Sequence, residues 1–305
     1  MHDVAECCLF CGASDVRRSH TGLFHPLKHD HGPFEFHECR DCGSGMTLPP
    51  PSAESLRALY ASFDSGLPQE MRRYLADDPQ TAWYQQCLDR AMTRAHKRSA
   101  DVFRWIDVGA GGGELARLAA QQYPNAAGTA VDLHARPALL DGCDNVDWIT
   151  CDINRQRFAA SLDTQADVVI SIAVWEHVRR PDWFMSDLAS LVKKNGTLYV
   201  ACPDYGSPAS RVLGRWWPYF TPGEHLCMPS VEGANRAISR VVRDETLALA
   251  DAQVFVHRVS LPYTLRYVLR FFRLGWIGSM LPKRWRVALP AGALEAGFTC
   301  VACDR

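Results

Sequence analysis

The chain has 305 residues, 47% of them hydrophobic and 22% charged, with a formal net charge of −1. That composition is ordinary for a globular protein, and the near-zero charge excludes a global electrostatic case for nucleic acid. The opening Met1-His2-Asp3-Val4-Ala5-Glu6 is polar and acidic, unlike a secretory leader, and no apolar run approaches the ~20 residues that span a bilayer, so a cytoplasmic protein is expected.

Residues 1–46 hold five of the twelve cysteines and six of the eleven histidines, with few aliphatics. They are too poor in aliphatics to build an ordinary core. Leu48-Pro49-Pro50-Pro51 is a stiff boundary. Ser52 then reads as a helix cap, and Leu56, Leu59, Tyr60 and Phe63 follow with helical spacing. A second helix is expected over about 80–98.

From about residue 103 the pattern becomes strand–helix alternation. Strands are expected at Phe103–Val108, Gly128–Leu133, Val146–Cys151, Asp167–Ala173 and Thr197–Ala201, with a helix over Glu114–Gln122. Another helix carries Trp183, Phe184, Leu188, Leu191 and Val192, and is expected to end at Lys193-Lys194-Asn195-Gly196. Such alternation argues for a doubly wound, mostly parallel α/β sheet. Ser230 is expected to cap a helix running to about 249, Gln253–Ser260 to be a strand, and Arg286–Cys303 to form a closing hairpin. The 261–286 segment carries six basic residues, six aromatics and no acid. It has the pattern of a helix at an anionic membrane surface, and equally suits an anionic substrate, a subunit partner or a solvated face.

Cys8-Leu9-Phe10-Cys11-Gly12 and Cys39-Arg40-Asp41-Cys42-Gly43 are two CxxC-Gly knuckles with 27 residues between Cys11 and Cys39. Two intervening residues let both sulfurs of a pair reach one ion, and the glycine permits the tight turn. Cys8, Cys11, Cys39 and Cys42 therefore read as four thiolate ligands of a structural Zn2+, with no position left open for chemistry. Neither pair sits at a strand–helix junction, which disfavours a redox role. His25, His29, His31 and His37, between the knuckles, read as solvated loop residues. Acidic residues outnumber basic ones over 1–46, against phosphate contact.

Gly109, Gly111 and Gly113 follow a strand ending near Asp107 and open a helix. Such glycines let the backbone approach a ligand closely. Glu114 stands where a dinucleotide-binding loop needs a small residue, which argues against a nicotinamide-dependent oxidoreductase. Asp132 lies 19 residues after Gly113 at the end of the second strand, where an acid can accept ribose hydroxyls. Asp152, in Cys151-Asp152-Ile153, ends the third strand.

In order and spacing over roughly 103–202, these segments resemble the class I S-adenosylmethionine (SAM)-dependent methyltransferases. Ala173-Val174-Trp175-Glu176-His177-Val178 resembles the family's segment after the fourth strand, and Asn195-Gly196-Thr197-Leu198 its turn into the fifth. The knuckles, the prolines and the Ser-led helix resemble the zinc-ribbon methyltransferases of saccharide and natural-product pathways. The resemblance implies a Rossmann-like domain over 101–305, a zinc ribbon over 1–48 and a helical linker or cap over 49–100. It also implies SAM on Asp107, Gly109, Gly111, Gly113, Asp132, Leu133, Asp152, Ile153, Ala173 and Glu176, with an insertion over about 203–230 covering a small-molecule acceptor. His225 and then His177 are the expected bases for a hydroxyl acceptor, and Glu224 for an amine. O- or N-methylation of a saccharide, carboxylate or natural-product intermediate is expected, with a homodimer as a candidate assembly. The competing expectation is a non-catalytic ribbon and Rossmann-like binding module.

Overall fold

The computed structural model describes residues 7–25, 30–66, 79–155, 157–162, 164–217, 219–242, 248–260, 277, 280 and 286–299. Two sheets organise them. The larger has seven strands in the order β10-β11-β8-β7-β4-β5-β6. Here β4 is Arg104–Val108, β5 Ala127–Asp132, β6 Val146–Thr150, β7 Ala166–Ile172, β8 Val192–Pro203, β10 Ala248–Ser260 and β11 Arg286–Thr299. Pairing is parallel from β8 through β7, β4 and β5 to β6, and antiparallel where β11 joins β8 and β10 joins β11.

Helices cover both faces. On one face lie α2 (Pro79–Arg94) and α3 (Glu114–Gln122), whose Leu88 and Leu115 pack with Trp105, Val168 and Ile170. On the other lie α4 (Pro181–Ser190) and, after the short α5 (Pro208–Leu213), α6 (Val231–Val242); Phe184, Leu188 and Ile238 of α4 and α6 pack with Ile106, Val108 and Val169. The buried strands β4 and β7 thus send alternate residues to opposite cores, as a sheet covered on both sides requires. Each such side chain, fully buried, contributes roughly 1.5–3 kcal/mol.

The smaller sheet runs β1-β2-β3-β9, from β1 (Val16–Leu23), β2 (Phe34–Cys39), β3 (Gly45–Thr47) and β9 (Cys227–Met228). Its last strand comes from beyond the large sheet's parallel core, so the N-terminal knuckles are stitched into the main domain. Cys8, Phe10 and Cys39 belong to the same buried cluster as Ile106 and Val169. Phe10 meets Trp175 edge-on at 5.7 Å.

Ser52 caps α1 (Ala53–Gly66) as its sequence suggests, accepting from the Ser55 N–H at 3.0 Å. Three expectations shift. Helix α4 ends at Ser190, because Lys193–Gly196 form a bulge where the β7–β8 register jumps from Ala166↔Val192 to Val168↔Thr197. Asn195 sits there at a φ of 61°, which asparagine tolerates. Helix α6 begins after Ser230, whose Oγ accepts from Gly233, and is described to Val242; the chain is already in β10 at Ala248, so the helix does not run to about 249. Residues 286–299 form one strand inserted between β8 and β10, not a hairpin of their own, because β8 and β10 supply a partner on each side. Apart from Ile277, Met280 and Arg286, the basic aromatic segment 261–286 lies outside the described residues. Among those described, no helix is long and apolar enough to cross a membrane.

Candidate active site and metal centre

The carboxyl edge of the parallel strands gathers the residues singled out in the sequence. β4 delivers Asp107 and the loop Gly109–Gly113, β5 ends on Asp132, Asp152 and Ile153 follow β6, and Ala173 follows β7. Strand order reverses at β4, between β5 and β7, which is where open α/β sheets bind ligands. The glycine loop is anchored by Gly109 and Ala110 N–H groups donating to the Val131 carbonyl at 2.8 and 3.0 Å. Gly109 has a φ of +80°, and a Cβ there would collide with the Val174 side chain. Gly111, at +54°, faces open space, with nothing within 4 Å of an added Cβ.

Asp132 secures this loop. Its Oδ2 accepts from the Gly111 N–H at 2.8 Å and its Oδ1 from the His134 N–H at 3.0 Å. Asp152 accepts from Asn154 N–H at 3.0 Å, and Leu133 and Ile153 are half-buried beside these turns. Asp107 is buried, and its Oδ2 has no hydrogen-bond partner. Burial, with Asp132 and Glu114 adding repulsion, pushes its carboxyl up to about 8.

A second cluster lies just after β7. Glu176 and His177 occupy a short 3-10 turn over Trp175–His177, and His225 comes from the segment leading into β9. Reciprocal bonds lace the two pieces together. The Leu226 N–H donates to the Glu176 carbonyl at 2.7 Å, and His177 Nδ1 lies 3.2 Å from the Glu224 carbonyl. His225 Nδ1 lies 2.6 Å from the Tyr219 carbonyl. A carbonyl only accepts, so in both rings Nδ1 carries the proton and Nε2 keeps its lone pair. The rings meet edge to face at 4.7 Å. Burial, then the charge of His225, holds His177 down at about 4, and burial lowers His225 as well. Glu176 is 1% exposed, its Oε2 has no hydrogen-bond partner, and burial pushes it up to about 8.

Glu224 does not behave as an amine's base should. Burial raises its pKa, but the hydrogen bond from His25 and the charges of His225 and His177 outweigh that and hold it at about 2. Its Oε2 lies 3.0 Å from His25 Nε2. His25 is fully buried, contrary to the expectation of a solvated loop residue. The His25–Glu224 and His177–Glu224 contacts leave no sequence signal, since each joins segments far apart in the chain.

The four knuckle cysteines converge. Cys8 and Cys42 sulfurs lie 3.6 Å apart, as do those of Cys11 and Cys39. Ligand bonds of about 2.3 Å in a tetrahedron require roughly 3.8 Å between sulfurs, so the set fits one Zn2+ with little movement. The two knuckles match in detail: Gly12 N–H donates to the Cys8 carbonyl and Gly43 N–H to the Cys39 carbonyl, at 2.8 and 2.9 Å. Residues 215–220 carry four aromatics, and their surroundings differ. Trp217 is 1% exposed and packs with Phe36 and Tyr205 against the small sheet, whereas Trp216 is 43% exposed.

The chain has a Rossmann-like α/β sheet with a glycine loop and acidic strand ends at its switch point. A family model described as "Methyltransferase domain" matches residues 69–240, more than half of the chain, and the protein belongs to that family. Two solved structures share the fold. The plantazolicin methyltransferase BamL, in complex with a triazolic desmethylPZN analog and SAH, is 14% identical over 82% of this chain and 97% of its own, with a TM-score of 0.55. The plantazolicin methyltransferase BpumL, in complex with SAH, is 13% identical over 81% and 96%, with a TM-score of 0.51. No curated protein matches this sequence.

Proposed function

We propose that the chain is a SAM-dependent methyltransferase acting on a small-molecule acceptor, with a structural Zn2+ on Cys8, Cys11, Cys39 and Cys42. The observation that carries this reading is the buried, unpartnered Asp107 Oδ2 at the strand end that leads into a glycine loop whose Gly111 faces open space. A lone buried carboxylate is costly without a cation, and the ammonium of the cofactor's amino-acid part answers it. Asp132 then receives ribose, Leu133, Asp152 and Ile153 flank adenine, and Ala173 borders the methionine part. Glu176 stands at the junction between cofactor and acceptor.

Bound SAM supplies a methyl group on a sulfonium leaving group. The protein's share is orientation and removal of the acceptor's proton. The Nε2 lone pair of His225 is suited to take that proton, because the Tyr219 carbonyl fixes the tautomer; His177 is the weaker base and Glu224 serves as a brace. A hydroxyl acceptor fits these groups better than a protonated amine, and the source is a saccharide or natural-product intermediate in the cytoplasm. The acidic N-terminal region makes nucleic acid an unsuitable partner, and a homodimer with the ribbon as brace remains part of this reading.

Methyl-labelled SAM incubated with the protein and small-molecule extracts of its source tests the proposal. Label in a water- or solvent-soluble product supports it and separates polar from apolar acceptors. Absence of SAM binding by calorimetry would overturn it. Asp107→Asn is expected to weaken SAM by tenfold or more, roughly the worth of one buried charged hydrogen bond.

A further inference from the structure

We propose that Glu176, His177 and His225 form a second metal site, distinct from the cysteine centre, for a divalent cation that prefers nitrogen and oxygen ligands. One ligand atom from each of the three lies within 4.8 Å of the other two, and His177 Nε2 is 4.0 Å from Glu176 Oε1. With metal–ligand bonds of about 2.1 Å, three ligand atoms around one ion sit about 3.0–3.6 Å apart. The cluster therefore closes by about 1 Å at its widest to hold the ion.

Two further observations point to a cation. Metal-bound histidines characteristically present their other ring nitrogen to a carbonyl or carboxylate, which fixes the tautomer and the ring. Both rings do so here, on the carbonyls of Glu224 and Tyr219, leaving Nε2 of each as the ligating atom. Glu176 Oε2 is buried with no hydrogen-bond partner, an uncompensated carboxylate that a cation would satisfy. The cluster is also held before any ligand arrives, since Leu226 N–H bonds the Glu176 carbonyl and Thr47 N–H bonds the Leu226 carbonyl, at 2.7 and 2.8 Å. Two imidazoles and one carboxylate suit Mn2+, Fe2+, Ni2+ or Zn2+ and leave coordination positions open.

This site rests on the methyltransferase reading and refines it. A hydroxyl of the acceptor coordinated at an open position is acidified. Its O–H bond breaks and the proton passes to water; the oxygen then bonds the methyl carbon as the carbon–sulfur bond breaks and its electron pair stays on sulfur. The acceptor class becomes one with a hydroxyl oxygen able to bind a metal; Glu176 is assigned to the metal, and the Nε2 lone pairs of His225 and His177 serve as ligands, so coordination replaces the histidine base.

The test titrates Mn2+ into the full-length, zinc-loaded chain and follows free Mn2+ by electron paramagnetic resonance. Mn2+ is a hard cation that disfavours the thiolates. The expected result is saturable binding of about one Mn2+ per chain, as a single site requires, weakened roughly tenfold or more in Glu176→Gln and in His225→Phe. Zinc content and melting curves establish that each variant is folded, and the near-isosteric Glu176→Gln is the variant least able to disturb the fold. No saturable binding, or unchanged affinity in both variants, overturns the site. A Glu176→Gln protein that loses SAM but keeps Mn2+ returns Glu176 to the cofactor and also overturns it. Mn2+ binding as expected with no SAM binding in the wild type leaves the metal site standing and removes the methyltransferase reading.

Discussion

The glycine-loop cleft and the Glu176–His177–His225 cluster lie on the same edge of the large sheet but are built in different ways. Every cleft residue follows directly from its own strand, and the loop is closed by one neighbouring strand through the Val131 carbonyl. The cluster instead depends on segments from across the chain. His25 braces Glu224, β3 bonds Leu226 through Thr47, and the knuckle residue Phe10 packs on Trp175. The glycine loop can thus be encoded locally, whereas the Glu176–His177–His225 cluster is held in shape by the N-terminal sheet. On the proposed reading the knuckles then clamp the acceptor side.

The strongest way to break that contrast is to remove the clamp. Cys39→Ser combined with Cys42→Ser should abolish zinc binding and cost several kcal/mol, part of the roughly 10 kcal/mol that structural zinc sites supply. Because Cys8, Phe10 and Cys39 share one buried cluster with Ile106 and Val169, the loss should appear as a single lowered melting transition. Two separate transitions, with the large sheet melting at its original temperature, would show that the small sheet is an independent unit.

Next in size is the cleft's own rigid point. Gly109→Ala forces a Cβ into Val174 at a φ of +80°. Overpacking of this kind costs about 1–3 kcal/mol, and the shifted loop should lose SAM binding by calorimetry. Stability and SAM affinity both equal to wild type would mean the loop is not anchored as described.

The same contrast explains what was legible in the sequence. The parallel strands, Asp107, the glycines, Asp132 and the paired knuckles were readable because each lies within one strand–turn unit or one short spacing. The four cysteines converge although 27 residues separate the pairs, since the CxxC-Gly pattern itself carries the geometry. The cluster around His225 was only half visible. His177 and His225 stood out by type and place, but the pairing of His25 with Glu224 and the Glu224 carbonyl on His177 are tertiary contacts 199 and 47 residues apart in the chain. The Lys193–Gly196 segment misled for a related reason: basic residues before a glycine read as a helix end, while the parallel register with β7 makes them a bulge.

A smaller effect sharpens the acceptor side. Glu224 has an ordinary value of 4.5 and is held at about 2 in the folded state. A carboxylate depressed by folding stabilises the protein above its unfolded value, and that contribution disappears as pH falls through about 2. Urea unfolding of the wild type should therefore lose stability between about pH 4.5 and pH 2 in a way that Glu224→Gln does not. At pH 7 the variant should be about 1–3 kcal/mol less stable, the cost of leaving the buried His25 poorly paired. Parallel pH profiles for the two proteins would remove the His25–Glu224 brace from the account.

The smallest expected change in stability carries the sharpest functional reading. Gly111 has a φ of +54°, so alanine there costs about 1–2 kcal/mol of backbone strain. Its added methyl meets no protein atom within 4 Å, so packing adds nothing to that cost. On the proposed reading the space it enters is where the cofactor lies. Gly111→Ala should accordingly lose only about 1–2 kcal/mol of stability yet bind SAM at least tenfold more weakly, whereas Gly109→Ala adds a collision with Val174 to the strain and loses more of both. A Gly111→Ala protein with full SAM affinity would place the cofactor elsewhere on the carboxyl edge, because the added methyl group meets no protein atom within 4 Å and would be excluded by a ligand held against the loop.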